Sequence, residues 1–255
     1  MKLLVMVALV LLAAGCASSG GRGADGQQQS SVDKQASARI HTELAALYYG
    51  QQQYAVALDE LKIALSMNSG YAPAYGVRGL VHMSLLEDKK AEADFERSVG
   101  LDGNDSGTRN NYGWFLCQRG RDKESMEQFL AAVKNPLYAT PEKAYLNAGL
   151  CSKKAGKTKE AEAFLKRALS IQPKMTEALL GMAELSFANA DYATAKSYFL
   201  RLSRNGAELS ASDLLLAARV ERKLGDKNAE ASYKLQLRKR FPESRETQLM
   251  LSGDR

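Results

Sequence analysis

The stretch that decides the fold runs from Glu142 to Met175: EKAYLNAGLCSKKAGKTKEAEAFLKRALSIQPKM. Three of its positions, Gly149, Ala161 and Leu165, recur at a fixed interval along the rest of the chain. Small residues in the register of Gly149 stand at Ala45, Gly79, Gly113, Ala183 and Ala217, so that the steps are 34, 34, 36, 34 and 34. Twelve residues later a second small series keeps the same steps: Ala57, Ala91, Ser125, Ala161, Ala195 and Ala229. Four residues beyond lies a bulky series: Leu61, Phe95, Phe129, Leu165, Phe199 and Tyr233. A pair of helices needs this pattern. Small side chains let the two helices approach, and the large residue one turn further on fills the space beside the contact.

A period of about 34 residues with small and bulky columns in these places resembles the tetratricopeptide repeat. The resemblance implies an all-α, right-handed α-solenoid of six helix-turn-helix units: 38–71, 72–105, 106–139, 142–175, 176–209 and 210–243. Punctuation agrees with the period. Gly120, Gly156 and Gly225 fall between the two helices of units three, four and six. The two extra residues lie in the proline-bounded loop Asn135–Glu142, where Thr140 and Pro141 read as a helix cap and first helical position. Unit six is the most divergent, as terminal units of solenoids often are. A tail, 244–255, is expected to follow it.

Upstream of the repeats, Leu3 to Ala14 is an apolar run of twelve residues, too short to span a bilayer. Lys2 before it and small residues after it give the shape of a secretory signal. The segment Leu12-Ala13-Ala14-Gly15-Cys16 resembles the bacterial lipoprotein signal, with the departure that Ala13 stands where leucine is commonest. That resemblance implies removal of residues 1–15 and acylation of Cys16. Several acyl chains on one residue would hold the protein stably at a membrane. Ala17 and Ser18 follow the cysteine, with no aspartate, which in this family implies the outer membrane, periplasmic face. Residues 16–37, rich in Gly, Ser and Gln, are expected to form a flexible tether of roughly 25 Å.

Chemistry-bearing constellations are sparse. The chain has two histidines. His82 sits at a core-facing helical position and His41 has no cysteine or acidic partner at ligand spacing. Neither a phosphate-binding loop nor a metal-type Cys or His pair occurs, so no catalysis, cofactor or metal is expected. The net charge of +6 does not by itself indicate nucleic acid, and the basic run Arg238–Arg240 reads first as a solvated helix end. Cys117 and Cys151 fall on the first helices of units three and four, where neighbouring first helices lie side by side. In an oxidising periplasm such a pair favours a disulfide, and two buried thiols are the alternative.

The concave face of such a solenoid is lined by unit positions 2, 5, 9, 12 and 13 of each first helix. That places Arg39, Thr42, Ala46 and Tyr49, then Leu80 and Met83, Asn110 and Trp114, Lys143, Leu146, Leu150 and Lys153, and Leu180 and Phe187 along one groove. Trp114, the single tryptophan, beside Leu80, Met83 and Leu150, would anchor a partner peptide; a shift of register would place it in the core instead. Thr42 and Ala46 do not reproduce the Lys/Asn pattern that clamps a C-terminal carboxylate.

Taken with the lipoprotein signal, the segments Asn111-Tyr-Gly-Trp-Phe-Leu-Cys117, Asn147-Ala-Gly-Leu-Cys151 and Arg240-Phe-Pro-Glu-Ser244 resemble the type IV pilus biogenesis lipoprotein family, the pilotins. That resemblance implies a monomer that binds the pilus secretin and promotes its outer-membrane localisation and multimerisation, with no nucleic-acid partner. The alternatives are a scaffold of the outer-membrane β-barrel assembly machinery or a regulator of cell-wall synthesis.

Overall fold

The computed structural model describes residues 22–253, with side chains from residue 32 onward. The signal region and Cys16 lie outside the described residues. Thirteen helices and no strand occur among the described residues. Twelve of them form consecutive antiparallel-type pairs: α1 (Arg22–Gly50) with α2 (Tyr54–Met67), α3 (Ala72–Ser84) with α4 (Asp88–Leu101), and α5 (Ser106–Gln118) with α6 (Asp122–Lys134). The series continues with α7 (Pro141–Lys154) and α8 (Thr158–Ile171), α9 (Thr176–Ala188) and α10 (Tyr192–Arg204), and α11 (Ala211–Leu224) and α12 (Lys227–Arg240). A short α13 (Arg245–Leu251) closes the chain.

The small and bulky columns meet as helix pairing requires. A Cβ placed on Gly79 would sit 2.9 Å from the Phe95 ring, one on Gly113 2.7 Å from Phe129, and one on Gly149 2.7 Å from Leu165. Glycine at these positions is therefore a requirement of the interhelical distance. Leu61, Phe95, Phe129, Leu165 and Phe199 are buried, while Tyr233 of the last pair is only half-buried. Tyr233 leans on Phe199 at 6.4 Å between ring centroids.

Each turn between paired helices contains one residue with a left-handed backbone. Gly120, Gly156 and Gly225 take it at φ +74°, +73° and +79°, and Gln52, Leu86 and Ala190 take it without the glycine advantage. Entry into the helices is fixed by side-chain caps at several places. Asp105 accepts from the Thr108 backbone N–H at 3.0 Å, Asp191 from Thr194 at 3.1 Å, and Ser210 forms a reciprocal capping box with Asp213. Thr140 occupies the cap position before Pro141 as expected, but its side chain makes no capping hydrogen bond.

Two segments depart from the sequence reading. The stretch 22–37, expected within a flexible tether, belongs to α1. It contains no proline, and a helix whose C-terminal half is already packed propagates outward without a second nucleation cost. The stretch 244–255, expected as a tail, forms α13 over Arg245–Leu251. Ser244 caps it by accepting from the Thr247 N–H at 3.2 Å, and buried Thr247 donates its hydroxyl to the Phe241 carbonyl at 2.7 Å. No described helix is long and apolar enough to cross a membrane.

Candidate functional site

Curvature follows from which helices touch. Each pair's first helix adjoins the next pair's first helix, along α1, α3, α5, α7, α9 and α11. Among the described residues no two second helices approach one another in this way. The stack is therefore narrow on the side of the first helices and splayed on the other, which makes that side the inner face.

Polar rungs tie this face together. Ser84 of α3 donates its hydroxyl to the Tyr49 oxygen of α1 at 3.4 Å, and the Asn147 amide of α7 donates to the Asn110 carbonyl oxygen of α5 at 2.9 Å. The Lys154 ammonium reaches the Cys117 backbone carbonyl at 3.4 Å, and Lys153 pairs with Glu184 of α9. Between the rungs lie apolar side chains that are half-buried: Leu80 and Met83 against Phe115 and Leu116, and Leu146, Leu150, Leu180 and Phe187 against the core of the C-terminal pairs. A strip of partly covered apolar residues framed by ion pairs and amides is suited to holding a peptide segment, with the apolar part giving affinity and the polar frame giving register.

Trp114 is half-buried and rests on the cluster of Cys117, Phe129, Ala148 and Cys151. It is thus part of the inner face with one side of its ring committed to packing. Tyr49 is half-buried and tilts against Tyr54 at 6.0 Å, and Phe187 tilts against Tyr192 at 5.4 Å. Lys143 and Ala46 are exposed. Asn110 departs from the expectation. It is 7% exposed and its side chain is consumed by Asn147, so it holds α5 to α7 instead of facing a ligand. Thr42 is likewise buried, its hydroxyl donating to the Ala38 carbonyl at 2.7 Å.

Cys117 and Cys151 are both buried and meet across α5 and α7, with Cα atoms 6.0 Å apart, inside the range that a disulfide spans. The histidines have structural partners. His82 lies between Glu87, 2.5 Å from Nδ1, and Asp94, 3.7 Å from Nε2, and Asp94 is gripped by the Arg78 guanidinium at 2.6 and 2.8 Å. The hydrogen bond to Asp94 keeps the Arg78 guanidinium firmly protonated, and Lys90 with His82 holds the Glu87 carboxyl below its ordinary range. His41 Nδ1 lies 2.6 Å from Glu60 of α2, a pairing across nineteen residues that spacing rules for a single helix do not reveal. Among the described residues no group of three or more His, Cys, Asp or Glu side chains is placed to hold a metal.

At the C-terminal end a second concavity, of about 570 Å³, lies between α11, α12 and α13. Its walls carry Arg219, Arg222, Lys223 and Lys234, and its floor carries Leu215, Ala218 and Met250. The sequence reading passed over these cations because they are spread over two helices that only the fold brings together.

The stacked helix pairs define a tetratricopeptide-repeat scaffold, a class that acts by binding protein partners. A family model described as tetratricopeptide repeat matches residues 153–218. The crystal structure of PilW, a widely conserved type IV pilus biogenesis factor, superposes with a TM-score of 0.78 at 35% identity, over 84% of this chain and 98% of that one. A structure of PilF from Pseudomonas aeruginosa gives a TM-score of 0.80 at 25% identity over 86% and 99% of the two chains. The type IV pilus assembly protein PilF of Pseudomonas aeruginosa PAO1 is 28% identical over 96% of this chain and 97% of its own. The chain belongs to this family of tetratricopeptide-repeat type IV pilus biogenesis proteins, and its role lies in pilus biogenesis.

Proposed function

We propose that the protein is a pilotin. It is anchored through an acylated Cys16 to the periplasmic face of the outer membrane, binds the type IV pilus secretin and promotes secretin localisation and multimerisation there. Membership of the pilus biogenesis family over nearly the whole chain, joined to the continuous inner face from Tyr49 to Phe187, is the observation that carries this reading. The mechanism needs no bond-making chemistry. A tethered scaffold raises the local concentration of bound secretin at the membrane, and the half-buried apolar strip of Leu80, Met83, Trp114, Leu146 and Leu150 covers segments that would otherwise aggregate. A Cys117–Cys151 disulfide belongs to the same proposal, because the bridge would lock α5 to α7 at the centre of that strip in an oxidising compartment.

The test combines fractionation with secretin assembly. In cells carrying the wild-type gene, secretin multimers are expected in the outer-membrane fraction and secretin is expected to co-purify with the protein. Cys16→Ala should release the protein from that fraction, and Leu150→Asp should abolish secretin recovery while the protein stays folded by circular dichroism. Normal multimers in a deletion strain, or recovery of barrel-assembly components in place of secretin, would refute the assignment.

A further inference from the structure

The buried apolar side chains of the solenoid do not form one continuous mass. Units four to six share a single cluster that runs from Ala161 to Leu237 and includes Leu165, Leu179, Phe199 and Leu214. The joint between units two and three has a cluster of its own, where Tyr112 and Phe115 each lie 5.6 Å from Phe95 between ring centroids. Between units three and four Cys117, Phe129, Ala148 and Cys151 are buried together, and Phe129 is the one large side chain fully buried there.

Polar links thin out at the same place. Arg119 and Arg121 of unit three pair with Asp88 and Glu92 of unit two, and Lys153 of unit four pairs with Glu184 of unit five. Among the described residues no ion pair crosses from unit three to unit four. The links there are Asn147 to Asn110, Lys154 to the Cys117 carbonyl, and a 3.8 Å contact from the Ser125 hydroxyl to the Cys151 sulfur. Ser152, beside Cys151 on α7, buries a hydroxyl that has no partner, which weakens the packing of that helix. The joint of units one and two also lacks an ion pair among the described residues, but Leu61, Val81 and several tyrosines fill it. The repeat is irregular at the thin joint as well, with a step of 36 residues from Gly113 to Gly149 where the others are 34. Asn135 ties the start of the connecting loop to unit two, donating to the Asn104 carbonyl at 3.1 Å and accepting from the Leu137 N–H at 2.9 Å. Ala139 and Thr140 then lead to Pro141 at the head of α7.

We infer that the loop 137–141 is a hinge: units one to three and units four to six move as two bodies, and their motion sets the gap in the inner face between Trp114 and Leu150. Trp114 packs on the cluster of the joint, whereas Leu150 packs on the C-terminal cluster, so the strip passes from one body to the other between them. A few loop residues take up the backbone rotation while the packed bodies stay rigid. An open hinge admits an apolar segment and a closed one grips it, a step that rests on the inner face being the partner site. A bond between Cys117 and Cys151, whose Cα atoms lie 6.0 Å apart across this joint, would hold the hinge closed.

The test compares three spans of equal length in the full mature chain with both thiols reduced. Nitroxide labels are attached to ketone-bearing residues in place of exposed lysines, which leaves the cysteines untouched. Lys89 with Lys159 spans the hinge; Lys62 with Lys123 and Lys159 with Lys227 lie within the two bodies. A uniformly elastic solenoid would give three distance distributions of the same breadth in pulsed electron resonance. The hinge predicts a distribution at least about twice as broad for the first pair as for the other two. Diamide, which takes up the two electrons and two protons released as the S–S bond forms, should narrow the first pair to the breadth of the controls. Acrylamide quenching of Trp114, the single tryptophan, should fall in the same step as the gap closes. Equal breadth in the reduced protein, broadening shared by a control pair, or quenching of Trp114 that does not change on oxidation overturns the inference. Secretin is absent from both measurements, so a failed hinge leaves the pilotin proposal standing, and a failed pilotin proposal leaves the hinge.

Discussion

Replacing Gly113 by alanine tests the packing rule on which the whole fold rests. The added Cβ would lie 2.7 and 2.8 Å from two ring carbons of Phe129 and 3.1 Å from the Ser125 backbone oxygen. Carbon atoms in ordinary contact are about 3.5–4.0 Å apart, so the neighbours must retreat by roughly 0.8 Å. Phe129 is 1% exposed and its ring has no free space to swing into, and the Ser125 oxygen belongs to the α6 backbone. The α5–α6 pair must therefore separate. Overpacking of this kind costs about 1–3 kcal/mol, against which alanine gains at most ~1 kcal/mol of helix propensity over glycine. The net expectation is a loss of up to roughly 2 kcal/mol, or a fall of up to roughly 8 °C in Tm at 2–4 °C per kcal/mol for a chain of this size. Gly100 supplies the internal control. It lies in α4, and a Cβ there meets nothing within 4 Å, so Gly100→Ala should gain roughly 0.5–1 kcal/mol from propensity alone. Urea and thermal unfolding followed by far-ultraviolet circular dichroism measure both. The reasoning fails if the two substitutions shift stability in the same direction by similar amounts.

Leu86 is 80% exposed and holds a left-handed backbone at φ +60°. Leu86→Gly removes a conformational penalty of about 1–2 kcal/mol and adds roughly 0.5–1 kcal/mol of unfolded-state freedom, so a net gain of about 0.5–1 kcal/mol is expected. The same melts check it, and a lower Tm would count against it. If Cys117 and Cys151 are joined, the bridge closes a loop of sequence separation 34, and chain-entropy arguments assign such a loop about 3–4 kcal/mol. Non-reducing mass spectrometry should then find neither thiol alkylatable in the oxidised protein, and Cys117→Ser should lower the urea midpoint to that of the reduced wild type. Two alkylatable thiols, or no difference between reduced and oxidised melts, would remove the bridge from the account.

Much of the inner face was legible before the fold was known, because the register that placed Gly149 against Leu165 also placed Leu80, Met83, Trp114 and Leu150 one helical face away. Asn110 shows where that logic stops. Its position in the repeat assigned it to the groove, yet its partner Asn147 turns it inward, and the two are 37 residues apart at different heights in their units. His41 and Glu60 make the same point within a single pair. The concavity around Leu215 and Met250 had no signature at all, since its lining is distributed over α11, α12 and α13, which only the fold brings together.

The sequence by itself determined the solenoid. Contacts inside a unit join residues within one helix-turn-helix, and the same small-against-large solution, repeated down the chain from Ala45, Ala57 and Leu61 onward, makes the constraint visible as a period. Only the tertiary structure decided what happens between units and at the ends. Contacts such as Asn110 with Asn147, and Cys117 with Cys151, depend on how far one helix is raised against its neighbour, which a common repeat length does not specify. The N-terminal extension of α1 and the cap formed by α13 occur once each, so no period announces them. They are set by helix propagation from a packed segment and by the need to cover part of an exposed last pair.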